Sequence, residues 1–266
     1  MDAIFIAVFS VTSIGIVCAV VLSMASKIMA VKVDERVAQI LECLPGVNCG
    51  ACGYPGCSGY AAALNSGGVK TNLCSPGGRE VTAKISALLG VEAESVVRKI
   101  ARVSCRGDKS AQQNKMKYMG IQSCAAAKQL FGGEGACAFG CLGYGDCQSV
   151  CHYNAICIED NLARINPKLC ISCGLCVKAC PNNLISIENA DLPVSVLCKN
   201  IEKGAITRKK CSKGCIACGK CVRECPSAAI TLEDYLARID YEKCTGCGHC
   251  AEVCVAKCIQ LRQDPF

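Results

Sequence analysis

An α+β fold of small repeated units behind one apolar amino-terminal helix is what this 266-residue sequence predicts. Three observations carry the expectation: an uncharged run from Ala3 to Ser26, 28 cysteines gathered in short loops, and an internal repeat of 74 residues containing short alternating segments.

From Met1 to Ser26 the only charge is Asp2. Such a run is long enough to cross the hydrocarbon core as one helix. A cleaved signal peptide would need a basic start and a small-residue cleavage site after a shorter apolar stretch. Here the start is acidic, and Lys27 and Lys32 follow the span. Residues 1–28 therefore read as a retained single-pass anchor in the cell membrane. The basic flank assigns all later residues to the cytoplasmic side. Cys18, inside the span, reads as a small packing residue.

More than one residue in ten is cysteine, while aromatic residues make up 5% and tryptophan is absent. That cysteine level usually marks a short secreted disulfide scaffold. This chain is long for that class, the cytoplasm is reducing, and thiols two residues apart reach disulfide geometry with difficulty. The stretch CISCGLCVKACP at 170–181 has instead the Cys-x2-Cys-x2-Cys-x3-Cys-Pro spacing with which thiolates wrap an iron–sulfur cubane. Zinc on the same thiols is the alternative. A chain so poor in large side chains would depend on bound clusters to fold, because ligation is folding free energy.

Residues 29–104 read as a segment holding one cluster. VDERVAQILECL places Val33, Val37, Ile40, Leu41 and Leu44 on one helical face, ended by Pro45 and Gly46. Cys49, Cys52, Cys57 and Cys74 follow with x2, x4 and x16 spacing, enough thiolates for one [4Fe–4S] cluster or a zinc ion. Interleaved glycines let that loop turn tightly. Cys43 reads as buried rather than ligating. EVTAKISALL and AESVVRKIARV, within 79–103, read as one or two helices, and the polar, basic stretch between Cys105 and Cys124 as an exposed connection.

Adding 74 to Cys124, Cys137, Cys141, Cys147, Cys151, Cys170, Cys173, Cys176 and Cys180 gives Cys198, Cys211, Cys215, Cys221, Cys225, Cys244, Cys247, Cys250 and Cys254. AICIEDNLARINPKLC likewise matches AITLEDYLARIDYEKC, so residues 105–190 and 191–266 read as a duplicated module. Apolar Ile156 and Ile158, and Ile230 and Leu232, alternate as strands do. The order strand, helix, strand, strand, helix, strand describes a small α+β unit.

CISCGLCVKACP and CIACGKCVRECP resemble the loops of two-cluster bacterial ferredoxins, in which the fourth cysteine ligates the other cluster. The fold class is then α+β: a single transmembrane helix, a one-cluster iron–sulfur segment and two tandem 2[4Fe–4S] ferredoxin-like modules. The resemblance implies that Cys170, Cys173 and Cys176 share a cluster with Cys151, and that Cys180 joins Cys137, Cys141 and Cys147. In the second module Cys244, Cys247 and Cys250 pair with Cys225, and Cys254 joins Cys215, Cys218 and Cys221. The first module departs from the pattern: Tyr144 stands where the second has Cys218, and its first loop is spaced x3 and x5. His152 and Val255 stand where proline follows Cys180 and Cys225. Cys211 competes with Cys218 for one ligand place. Twenty thiolates and five clusters follow. Cys105, Cys124, Cys198 and Cys211 are candidates for a sixth, with unligated buried thiols the alternative.

No residue carries a recognisable bond-making role. There is no G-x-G-x-x-G after a strand and no P-loop, and His152 and His249 lack a carboxylate or nucleophile in catalytic spacing. The chain reads as an electron carrier. Net charge is +7, with Lys199, Lys203, Arg208, Lys209, Lys210 and Lys213 close together. An acidic redox partner suits that cluster better than nucleic acid, since no stacking aromatic interleaves it; a merely solvated face is the alternative.

The anchor followed by LPGVNCGACGYPGC resembles the B subunit of the Rnf complex, over nearly the whole chain. The duplicated module is similar to the longer, cysteine-rich variants of anaerobes. That family implies a membrane ferredoxin:NAD+ oxidoreductase coupling electron flow to Na+ or H+ transport. This subunit would take electrons from reduced soluble ferredoxin and pass them to partner subunits carrying flavin and the NAD site. The competing readings are an iron–sulfur subunit of a hydrogenase-type or formate dehydrogenase-type membrane enzyme, and a zinc-binding adaptor.

Overall fold

A run that is uncharged from Ala3 to Ser26 and free of proline makes up most of α1, Asp2–Ile28. The computed structural model describes residues 2–28 and 34–261, which divide into two compact units between Gln39 and Ile40. Within α1, Val8–Ser26 is long and apolar enough to cross a membrane. Its hydroxyls turn inward: Thr12 Oγ1 donates to Val8 O at 2.8 Å and Ser13 Oγ to Ser10 O at 2.9 Å, which keeps polar groups satisfied away from water. Lys32 and Val33 lie outside the described residues.

Asp34 accepts from the N–H of Arg36 at 3.0 Å and starts α2, Glu35–Cys43. Ile40 and Leu44 are buried, whereas Leu41 is exposed and Cys43 half-buried. Two more helices follow, α3 (Gly56–Ser66) and α4 (Gly78–Leu89); Tyr60 on α3 is buried and its hydroxyl donates to Lys70 O at 2.7 Å. Thr82, Ser86 and Thr71 form a small buried polar core, closed by bonds from Thr82 to Gly78 O and Ser86 to Thr71. Gly90, at φ 70°, ends α4 by donating to Ser86 O.

The second helix expected within 79–103 does not form. Lys99–Val103 is strand β1. Its β-branched Ile100 and Val103 suit a pleated surface, and a partner strand far along the chain decides the matter.

After β1 come two short helices, α5 (Cys124–Gln129) and α6 (Asp146–Ser149), then the hairpin β2 (Ile156–Glu159) and β3 (Leu162–Ile165). Helix α7 (Leu175–Ala179) and strand β4 (Ile185–Asn189) complete the first repeat. The second repeat runs β5 (Val194–Val196), α8 (Gly204–Lys210), α9 (Lys220–Arg223), β6 (Ile230–Glu233), β7 (Leu236–Ile239), α10 (His249–Glu252) and β8 (Ile259–Leu261). Among the described residues the strands form four antiparallel two-stranded sheets: β1 with β4, β2 with β3, β5 with β8, and β6 with β7. Both hairpin turns place two consecutive residues at positive φ, Asp160 and Asn161 in one and Asp234 and Tyr235 in the other. Turns of that hand match the strand twist.

The repeat is not uniform. Val103 pairs with Ile185 and Val196 with Ile259. The later strands are therefore 74 residues apart, but the first strands are 93 apart. The first repeat carries 19 extra residues between its opening strand and Cys124. This stretch, expected as an exposed connection, is folded in. Ala111 and Tyr118 are buried, Gln112 bridges to Cys211, and Ser212 N donates to Ala111 O at 2.9 Å. Gln113 N donates to Lys210 O at 3.0 Å, and Asp108 pairs with Lys213. A polar composition does not disclose such pairing, because every residue carries the same backbone donors and acceptors.

Candidate metal centres

Each repeat builds its core on cysteine. In the first, Cys147 and Cys176 are buried with Ala101, Ile156, Ala163 and Ile185; in the second, Cys215, Cys221, Cys250 and Cys258 are buried with Val194, Ile230, Leu236 and Ile259. The thiols do not simply pack together. They ring small cavities. Among the described residues, no three His, Cys, Asp or Glu side chains converge as a single metal ion requires. Thiols set apart around a cavity suit a cubane, which is ligated at its corners.

One cavity is lined by Cys151, Cys170, Cys173 and Cys176, the grouping the ferredoxin resemblance implies. Another is lined by Cys215, Cys218, Cys221 and Cys254. Cys211 thus stands away from the place for which it competed with Cys218. Cys250 lies within electrostatic reach of Cys244, Cys247 and Cys225, and Cys74 within reach of Cys57, Cys52 and Cys49.

The remaining cavity corrects the expected grouping. It is lined by Cys141, Cys147 and Cys180 together with Cys124, not Cys137. The reason lies in two positions that differ between the repeats. Tyr144 stands where the second repeat has the cavity-lining Cys218, which leaves one thiol fewer in that loop, and Asp146 replaces Lys220. The Asp146 carboxylate accepts from Cys124 N at 2.8 Å, Ala125 N at 2.9 Å and Ser123 Oγ at 3.0 Å, which draws the start of α5 against the Cys147 loop. Burial alone would raise its pKa, but these donors hold it below the usual carboxylate range. Cys137 goes elsewhere, into a fourth cavity lined also by Cys105, Cys198 and Cys211. The signal for this exchange was legible in the Tyr144 and Asp146 pair, but only beside knowledge of where α5 packs.

The sulfur atoms receive backbone N–H groups. Ala101 N lies 3.3 Å from Cys170 Sγ, Leu184 N 3.4 Å from Cys180 Sγ and Ala229 N 3.3 Å from Cys225 Sγ. Gly145, Gly174, Gly219 and Gly248 occupy one repeated place, just before a short helix, at φ between 69° and 84°. Only a residue without Cβ takes that turn at low cost, and the turn directs the loop around its sulfurs. Burial, and next the neighbouring sulfurs, push the thiols of Cys147 and Cys176 up to about 12; burial raises that of Cys74 to about 11. A metal centre reverses that balance, because ligation demands the thiolate and releases the proton.

Cys258 is a fifth thiol beside the second repeat's first cavity. It is buried, with its sulfur 3.6 Å from Cys254 Sγ. As the shared donor it is pushed up, while Cys254 and Cys215 are pulled down to about 5 and about 6 by its hydrogen bonds. The first repeat has Leu184 there. Cys18, Cys43 and Cys157 also stand outside these groups. His152 is exposed, and His249 is exposed with Glu252 4.0 Å away. Of the basic cluster, Lys210 pairs with Glu202, Lys213 with Asp108, and Lys199 donates to Asn183 O, whereas Lys203, Arg208 and Lys209 are exposed.

Comparison with known proteins bears on the same residues. An Fe-S cluster family matches residues 44–76, the 4Fe-4S binding domain 163–186, and the 4Fe-4S dicluster domain 207–255. The chain is 40% identical over 260 residues to the B subunit of the Na+-translocating ferredoxin:NAD+ oxidoreductase complex of Acetobacterium woodii, covering 97% of this chain and 78% of that one. It is 37% identical over 250 residues to the B subunit of the ion-translocating oxidoreductase complex of Methanosarcina acetivorans, covering 94% and 95%. Against the B subunit of the proton-translocating ferredoxin:NAD+ oxidoreductase complex of Clostridium ljungdahlii, identity is 36% over 260 residues, covering 97% and 91%. With similarity of this extent running through the same cysteine-lined loops, the chain belongs to the B-subunit family of Rnf-type ion-translocating ferredoxin:NAD+ oxidoreductase complexes.

Proposed function

We propose that this chain is the membrane-anchored electron relay of such a translocase, accepting electrons from reduced ferredoxin on the cytoplasmic side and delivering them to partner subunits. The observation that carries the reading is the convergence of cysteines into sets of four around cavities otherwise lined mainly by apolar side chains and backbone. Five sets are assigned as ligands of [4Fe–4S] clusters: Cys49, Cys52, Cys57 and Cys74; Cys151, Cys170, Cys173 and Cys176; Cys124, Cys141, Cys147 and Cys180; Cys215, Cys218, Cys221 and Cys254; and Cys225, Cys244, Cys247 and Cys250. When bound, the clusters supply one-electron storage and relay. The chain's own groups fix where each cluster lies, and their N–H and S–H donors ease the added negative charge.

Residues 1–28 act as the anchor, 29–104 as the single-cluster segment and the rest as two modules, with β1 lent to the first module's sheet. The exposed cations of α8 and its flank, Lys203, Arg208 and Lys209, provide the docking face for an acidic donor. Relatives are named for sodium ions in one case and protons in another, which fits a chain that conducts electrons and leaves the ion to other subunits.

The test is anaerobic mixing of the purified chain with reduced soluble ferredoxin. Brown protein should bleach within the mixing experiment, more slowly as salt rises, and replacing Lys203, Arg208 and Lys209 by Glu should slow it roughly tenfold. Colourless protein without acid-labile sulfide, or a loaded chain that ferredoxin does not reduce, would refute the reading.

A further inference from the structure

We propose that Cys105, Cys137, Cys198 and Cys211 form a sixth iron–sulfur site, built across the junction of the two repeats. The inference rests on the cluster reading of the other five sets and goes beyond it, because no two-cluster module supplies these four ligands by itself.

The four thiols line one cavity, as the assigned sets line three others in the same chain. They come from both repeats. Cys105 stands two residues after the end of β1 and Cys198 two residues after the end of β5, so they are structural counterparts although the 74-residue register pairs Cys198 with Cys124. Cys137 and Cys211 are true register mates, and neither is used by its own module.

The site has the donor environment of the other centres. Gly107 N lies 3.3 Å from Cys105 Sγ, and Cys198 Sγ receives Cys215 N at 3.3 Å and Asn200 N at 3.5 Å. Backbone N–H groups of Lys213 and Gly214 reach Cys211, and that of Phe139 reaches Cys137. The amide of Asn200, a side chain only 1% exposed, points its Nδ2 at Cys137 Sγ from 3.5 Å. A Cβ on Gly107 would stand 3.4 Å from Cys211 Sγ and 3.6 Å from Cys105 Sγ, so bare backbone passes between the two sulfurs. Arg106, Lys199 and Lys213 also line the cavity, Lys213 paired with Asp108. Thiols buried merely for packing need no inward N–H groups.

The position gives the site its use. Cys49 lies within electrostatic reach of Cys173, and its carbonyl accepts from Lys178; Cys176 lies within reach of Cys147. The N–H of Cys141 points at Cys105, that of Cys215 at Cys198, and Cys250 lies within reach of Cys221. The sets therefore stand in a single file: early segment, both sets of the first repeat, the junction site, both sets of the second. Without the junction site the file is broken at its middle.

The experiment counts iron and acid-labile sulfide on the anaerobically reconstituted full chain, alongside the double variant Cys137→Ala with Cys211→Ala. Expected are about 24 irons and 24 sulfides per wild-type chain, and about 20 of each, with one reduced paramagnetic centre fewer, in the variant. A wild-type chain at about 20, or about 20 irons plus one zinc, overturns the sixth site while leaving the five-cluster reading intact. A variant that keeps 24 also overturns it. Should the variant fail to fold, the wild-type count decides alone. Absence of sulfide altogether would instead sink the relay reading beneath it.

Discussion

Asp146 ties the start of α5 to the Cys147 loop. Its three short bonds to Ser123, Cys124 and Ala125 hold one cysteine in a ring that Tyr144 would otherwise leave at three thiols. Hydrogen bonds to a charged group contribute about 1.5–3 kcal/mol each, and here their loss falls on the segment that carries Cys124. In Asp146→Ala the centre should fall from four irons to about three, with a three-iron signal in the oxidised electron paramagnetic resonance spectrum. An unchanged iron count and spectrum would show that Cys124 is held by something else. From the residues alone, the x2 and x4 spacings disclose their groupings, because the reach of a short loop leaves little choice of partner. Cys124 and Cys137 escaped that logic: twelve residues separate them, so both could reach either cavity.

Elements tell a similar story. The two hairpins were legible in alternating apolar residues and the EDN and EDY turns, as was α4 in its periodicity. Strand β1 was not, because AESVVRKIARV has a helix-compatible pattern and its partner β4 lies more than eighty residues on. β1 also touches a proposed metal centre: Ala101, 3% exposed, gives its N–H to Cys170. Ala101→Pro removes that donor and should cost about 1–3 kcal/mol. The expected outcome is loss of the centre holding Cys151, Cys170, Cys173 and Cys176, with the second repeat's signals retained in the paramagnetic spectrum. If all signals persist, β1 is not a support of that centre. The stretch 105–123 was misread for a related reason. Its polarity is genuine, but its backbone pairs with residues 210–212 of the other repeat.

At the scale of the molecule, cysteine replaces the large side chains that the sequence lacks. The two module cores place buried thiols where an ordinary core would place leucine or phenylalanine. Chelation of iron should therefore unfold residues 40–261 and leave α1, which makes only local hydrogen bonds, helical. Circular dichroism before and after anaerobic iron removal would measure this: the expected result is loss of the cooperative melt, and an unaltered melt would mean that apolar packing alone suffices.

By itself the sequence determined the apolar amino-terminal helix, the duplication, the hairpins and which thiols share a short loop, because each depends on neighbours only a few residues away. The tertiary structure decided that β1 closes the first sheet, that Cys124 takes the place left by Tyr144, and that Cys105, Cys137, Cys198 and Cys211 meet between the repeats. Those choices depend on which distant backbone segments hydrogen-bond to one another, and side-chain patterns along the chain carry no record of that.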